Sequence, residues 1–269
     1  MVHRAHEVLP HRHPRRPRPM KRRFRKALAT PFPEAWRDLL AARVSWYALL
    51  DPPEREKMEN LTRMFLSQTR FEGAGGLEMD DQIRVVIAYQ ACLLVLNLGI
   101  ELYRDVTAVI VYPSAVVKAG SRGISDGIVD DGAFPMAGEA RLHGPVVVVW
   151  DAALRQARHP ERGHNVVFHE FAHKIDMSDG AADGMPPLPS RSAQLEWHAT
   201  MEETLRRVRS THATSLDPYA GTNAAELFAV ATEGFFDAPA ALRRSVPALY
   251  TMLSDFYGQD PATRRRAGR

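Results

Sequence analysis

Apolar residues recur at intervals of three and four through "EAWRDLLAARVSWYALLDPPEREKMENLTRMFLSQTR" (34–70), and the Pro52–Pro53 pair divides the stretch into two helices. A third helix is predicted in "DDQIRVVIAYQACLLVLNLG", which opens on the acidic pair Asp80–Asp81 and ends near Gly99. Its apolar run from 85 to 100 is interrupted by Gln90 and Asn97 and is shorter than the ~18 residues a membrane span requires, so it reads as a buried core helix. Two valine-rich segments bounded by glycine or proline, 106–113 and 144–151, read as strands, with a glycine-rich loop from 119 to 144 between them. Helical periodicity resumes around His169 and again over 192–210, 223–236 and 247–257. No internal repeat is visible. The pattern is that of an α+β protein, mostly helical, with a helical front part, a small β-sheet and a helical back part.

Composition adds a core and a compartment. At 45% apolar content, 269 residues can bury a sizeable core. The one cysteine, Cys92, excludes an intrachain disulfide, a Cys-rich zinc finger and a thiol redox pair, and fits a reducing, cytoplasmic location. Charge is unevenly spread. Residues 1–26 hold 10 of the 35 Lys and Arg against Glu7 alone, and the last six residues hold four more arginines. The body from 27 to 263 keeps 21 basic and 31 acidic residues, a formal charge of about −10, which argues against direct nucleic-acid binding by the folded part. Residues 1–30 are expected to be a disordered, basic, Pro-rich leader, with Met20 an alternative start, and 262–269 a basic tail. The leader lacks the apolar stretch of a signal peptide.

The chemistry concentrates in "HNVVFHEFAHKID" (164–176). On a helix, His169 and His173 lie one turn apart on one face and can aim both imidazoles at one ion, with Glu170 beside it. Zinc held this way polarises a water molecule, and an adjacent carboxylate can take its proton as it attacks a carbonyl. Val166, Val167, Phe168, Phe171, Ala172 and Ile175 fit a helix buried on its other side.

A catalytic zinc site takes three protein ligands, so a third is required. Asp179, ten residues past His169, matches the position of the third ligand in the extended HExxHxxGxxH pattern, but Asp176 stands where that pattern has its turn glycine. The alternative lies in "DPYAGTNAAELFAVATEGFF" (217–236), where Glu226 and Glu233 share one face of an otherwise apolar helix. Glu226 is the preferred ligand, and Glu233 reads as a carboxylate that supports the site from behind. Asn223 is a natural N-cap, and Tyr219 precedes Glu226 by seven residues, where its phenol could hydrogen-bond an oxyanion. Asp176, on the ligand face, could accept the spare ring N–H of a ligating histidine, or could simply end the helix.

"FHEFAHKIDMSDG", "LDPYAGTNAAELFAVATEGFF" and "PALYTMLSDFYGQDP" together resemble the successive signatures of the Mlc titration factor A family, zinc-dependent peptidases of the gluzincin type related in their catalytic domain to the anthrax lethal factor protease. The resemblance spans 31–261 and implies a zincin-like metallopeptidase domain with a helical N-terminal part. It further implies Zn2+ bound by His169, His173 and Glu226, with Glu170 as general base and Tyr219 as the hydroxyl that meets the transition state.

The expected function is hydrolysis of peptide bonds in a peptide or protein substrate by metal-activated water, with an aminopeptidase-like specificity in view and no membrane association. The family's name also points to a transcriptional repressor as partner. The competing reading is a regulator-binding protein whose zinc site is structural or vestigial. A complete general base with three ligands favours the enzyme, because a structural zinc takes four protein ligands and leaves no open position.

Overall fold

A computed structural model of the protein describes residues 21–114, 144–160, 163–210 and 214–264. Helices dominate: those expected appear in order, and three more lie over 22–29, 150–158 and 239–245, the second of them taking Trp150 and Asp151 from the expected strand. After α1 (Arg22–Ala29) come α2 (Glu34–Arg43) and α3 (Pro52–Gln68), the latter opened by a capping box in which Asp51 accepts from the Glu54 amide and Glu54 reaches back to the Asp51 amide. Helix α4 (Asp81–Leu94) starts where the Asp80 carboxylate accepts from the Ile83 amide, and it is buried almost all round. The sheet strands are β1 (Arg70–Gly73), β2 (Ala108–Tyr112) and β3 (Val146–Val149). Helix α5 (Trp150–Arg158) leaves β3 directly and is followed by α6 (Val166–Asp176), α7 (Arg191–Ser210), α8 (Ala224–Asp237), α9 (Pro239–Ser245) and α10 (Pro247–Tyr257). No helix among the described residues is long and apolar enough to cross a membrane.

The sheet is parallel, in the order β1-β2-β3, with Phe71 opposite Val109 and Val109 opposite Val146. β1 departs from the sequence expectation, which carries the second front helix through residue 70. The strand is only four residues long and mostly exposed, so it has no apolar alternation to betray it. Its pairing with β2 makes it a strand.

A second departure is α1. Residues 22–29 lie inside the span expected as disordered leader, yet they form a helix that drives Phe24 to 1% exposure against α3, with Arg23 donating to Gln68 and Arg63 to the Leu28 carbonyl. The surrounding arginines and lysine hide this single anchor in a composition-based reading. The rest of the leader, most of the 119–144 loop and the end of the arginine tail fall outside the described residues.

Front and back halves share one core. Gln259 donates to the Leu93 carbonyl, and Asn97 to that of Gly258, whose left-handed conformation ends α10. Helix α6 runs through the middle, against α4, β3 and α8, which places the histidine motif at the junction of the sheet and the back helices.

Candidate metal centre

Helix α6 begins at Asn165, whose side-chain oxygen accepts from the amides of Val167 and Phe168, both at 3.1 Å. Its apolar side is anchored by rings. Phe171 lies 5.6 Å from Phe65 and 5.1 Å from Tyr103, centroid to centroid, and Phe168 lies 5.4 Å from Phe236. Buried aromatics of this size stabilise by about 1.5–3 kcal/mol each and fix how the helix is rotated about its axis. The opposite side therefore presents His169 and His173 together.

The third member comes from α8. Asn223 caps this helix by accepting from the Glu226 amide at 2.9 Å, which sets Glu226 in a fixed first turn facing α6. His169 Nε2 and His173 Nε2 are 3.2 Å apart, and Glu226 Oε2 is 3.2 Å from the first and 3.4 Å from the second. Ligand atoms bound about 2.0–2.1 Å from a tetrahedral ion lie about 3.3–3.4 Å from one another, so this triangle has the dimensions of three metal ligands. These residues form the one His/Cys/Asp/Glu group among the described residues that could hold a metal ion. Glu226 Oε2 is buried and receives no hydrogen bond, which leaves its lone pair directed at the same point as the imidazoles.

Electrostatics reinforce the geometry. Burial alone would lower the His169 imidazole, but Glu226 and Glu233 overcome it and lift the group to about 10. Burial would raise the Glu226 carboxyl, and the two imidazoles instead hold it well below the usual carboxylate range. The cluster demands a positive charge at its centre. A divalent cation meets that demand, and two imidazole nitrogens with one carboxylate oxygen form a donor set suited to zinc.

The other sequence candidates divide. Glu170 follows His169 on the helix, half-buried, with its charge felt at the His169 ring. Tyr219 sits in the short turn Pro218–Gly221, its ring centroid 6.3 Å from that of His169. Two hydrogen bonds from Arg209, to the carbonyls of Gly221 (2.7 Å) and Thr222 (3.0 Å), hold this turn. Asp179 is exposed and accepts from the Ala181 amide, away from the cluster. Asp176 is buried, but its Oδ2 accepts from the Gly184 amide at 3.0 Å and its Oδ1 has no partner. His169 Nδ1 instead lies 2.8 Å from Glu233 Oε1. The role expected of Asp176 falls to Glu233 because α8, packed alongside α6, faces the back of that ring while the Asp176 carboxylate turns toward the following loop.

Sequence reasoning gave Glu233 a supporting place but missed the buried polar groups around it. Asn165 Nδ2 donates to Gln90 Oε1 (2.9 Å), and the Asn165 amide donates to Glu233 Oε2 (2.6 Å). One turn beyond Glu233, Asp237 buries both carboxyl oxygens without a partner. Its burial and the neighbouring Glu233 charge push that carboxyl well above the usual range, against the opposing Asn165 side chain. The available signals were polar residues inside apolar helices, Gln90 and Asp237, and an asparagine just ahead of the motif helix.

Comparison with known proteins finds a metallo-peptidase family over most of the chain. The glucose-regulated metallo-peptidase M90 family matches residues 18–258, a span that takes in α1. The chain is 35% identical over 250 residues to Mlc titration factor A of Escherichia fergusonii, covering 90% of this chain and 92% of that protein. It is 34% identical over 235 residues to Mlc titration factor A of Serratia proteamaculans, covering 85% and 88%. An uncharacterized protein of Synechocystis sp. is 34% identical over 244 residues, 89% of each chain. With a family match over most of its length and relatives aligned nearly end to end, this chain belongs to the glucose-regulated metallo-peptidase M90 family.

Proposed function

We propose that this protein is a zinc-dependent hydrolase of peptide bonds, with His169, His173 and Glu226 as metal ligands, Glu170 as general base and Tyr219 as a hydrogen-bond donor to the developing oxyanion. The observation that carries the reading is the convergence of two imidazole nitrogens and the unsatisfied Glu226 Oε2 within 3.4 Å of one another. When bound, zinc supplies Lewis-acid polarisation of a water molecule and of the scissile carbonyl. Glu170, next to a ligand and not itself in the triangle, takes the proton of the attacking water and passes it to the leaving amine. The Tyr219 hydroxyl serves the carbonyl oxygen as charge builds on it, and Arg209 holds the turn that carries it. Three protein donors leave one tetrahedral position for water or substrate, as a catalytic site requires. An aminopeptidase-like preference is the specificity we assign to it, and the cytoplasm, which suits the lone buried Cys92, is the working location.

A second role rests on the relatives' name, which describes a factor that titrates Mlc. Carried to this chain, it supports contact with a repressor-type regulator in addition to hydrolysis. Elemental analysis of wild type, Glu226→Ala and Glu170→Gln, with a peptide library as substrate, tests the reading. The expected result is about one zinc per wild-type chain, marked loss in Glu226→Ala, and retained zinc with ~10²–10⁴-fold slower turnover in Glu170→Gln. Undiminished hydrolysis by Glu170→Gln removes that residue from the mechanism. Zinc without hydrolysis of any library member, together with capture of a repressor, moves the binding role to the front.

A further inference from the structure

We propose that Glu233 is a positioning residue for the metal centre, which keeps the His169 proton on Nδ1 and thereby presents Nε2 as the donor to the ion; this rests on the metal-site reading above. Glu233 sits two turns after Glu226 on α8 and is 6% exposed. Its two oxygens face two different groups: Oε1 is 2.8 Å from His169 Nδ1, and Oε2 is 2.6 Å from the Asn165 backbone nitrogen. A backbone N–H can only donate, so Oε2 must accept. The second oxygen, equally an acceptor when Glu233 is ionised, then selects the His169 tautomer that carries its proton on Nδ1. That tautomer leaves a lone pair on Nε2, the atom that points at Glu226 and His173.

The carboxylate is itself held in place. Asn165 cannot shift, because its Oδ1 caps α6 and its Nδ2 donates to Gln90 Oε1. A buried polar line therefore runs from α4 through the cap of α6 to α8 and back to the ligand on α6, with Gln90 and Asn165 both at 0% exposure. Burying such groups contributes little net stability compared with an apolar core of the same shape, so orientation of the ligand is the role that accounts for them. The geometry also predicts that a carboxylate is required here and an amide is not sufficient. In Glu233→Gln either orientation of the amide places an N–H against a donor, on the Asn165 side or on the His169 side, and the second option forces the proton onto Nε2.

The test is zinc affinity by competition with a chromogenic chelator, alongside thermal unfolding of the metal-free proteins, for wild type, Glu233→Gln and Glu233→Met. The methionine variant fills the same volume without polar atoms but leaves the Asn165 amide and His169 Nδ1 without their acceptor, so its metal-free form should unfold at a lower temperature than wild type. Both variants should bind zinc ~10–100-fold more weakly than wild type, with the affinity read on the folded fraction so that lost stability does not enter it. A merely structural role would lower the unfolding temperature and leave the affinity of the folded protein unchanged. Wild-type zinc affinity in both variants overturns the proposal. Absence of zinc from the wild type itself instead sinks the metal-site reading on which it rests.

Discussion

His169 and His173 occupy the same helix one turn apart, yet their surroundings differ. The His169 side chain is 3% exposed, and its Nδ1 is engaged by a carboxylate 64 residues further along the chain. That of His173 is 14% exposed, and its buried Nδ1 has no hydrogen-bond partner. Helical spacing places both imidazoles on one face, but it does not orient them. Orientation comes from whatever packs behind each ring, and α8 lies behind one of them only. Both imidazoles nevertheless lie within 3.4 Å of Glu226 Oε2, and what separates them is the carboxylate braced behind His169.

The largest effect should come from removing what the two histidines share. Phe171 projects from the opposite side of α6 into Phe65 and Tyr103, so Phe171→Ala should destabilise the protein by about 3–5 kcal/mol. It should weaken metal binding through both rings together. Urea denaturation gives the first quantity and zinc titration of the folded fraction the second. A loss under about 1 kcal/mol would show that the aromatic cluster collapses around the gap and does not anchor the helix.

What the sequence made legible follows the same division between position and orientation. The shared helix face of His169 and His173 and the Asn223 cap could be read because helical periodicity and cap chemistry act over a few residues, whereas the choice of Glu226 over Asp179 and the parts given to Glu170 and Tyr219 came from the family resemblance. Glu233 stood out as an acid on an apolar face. Its partner could not be read, because the identity of the group behind His169 depends on how α8 is rotated against α6, a tertiary fact. Asp176 was the natural candidate on local spacing, and it lost that role to a residue distant in sequence. The same limit applies to the fold. Long helices with strong periodicity were visible, whereas β1 exists only through its pairing with β2, and α1 rests on one buried phenylalanine among arginines.

A sharper and smaller perturbation acts on the Glu226 side and spares the His169–Glu233 pair. Gly184 has a φ of +78°, and a Cβ there would lie 2.3 Å from the Ala224 carbonyl oxygen, in the first turn of α8 two residues before Glu226. The same residue donates its amide to Asp176 and accepts from the Trp197 indole at 2.8 Å. Gly184→Ala should therefore displace the start of α8 and cost about 1–3 kcal/mol. Zinc affinity should fall while the His169 Nδ1 proton stays bound to Glu233 and protected in the NMR spectrum. Loss of that proton signal would mean that α8 moves as one body and that the two sides of the site are not separable.

The smallest effect belongs to Asp176, on the His173 side. Burial raises its carboxyl from 3.8 to about 6, with the Gly184 amide opposing and Asp183 adding to the shift. Because the folded state keeps this proton after the unfolded chain has released it, the associated stability is complete below pH 3.8 and is lost as pH rises to about 6. The shift bounds that loss at about 3 kcal/mol, since one pH unit is worth 1.36 kcal/mol. Asp176→Asn removes the titration, so the difference in unfolding temperature between the metal-free variant and metal-free wild type should move in favour of the variant from pH 4 to pH 6 and then level off. Zinc affinity should stay close to that of wild type, because the His169 proton is held by Glu233 and not by Asp176. Were Asp176→Asn to weaken zinc as much as Glu233→Gln, the His173 ring would have a hidden brace, and the contrast between the two histidines would disappear.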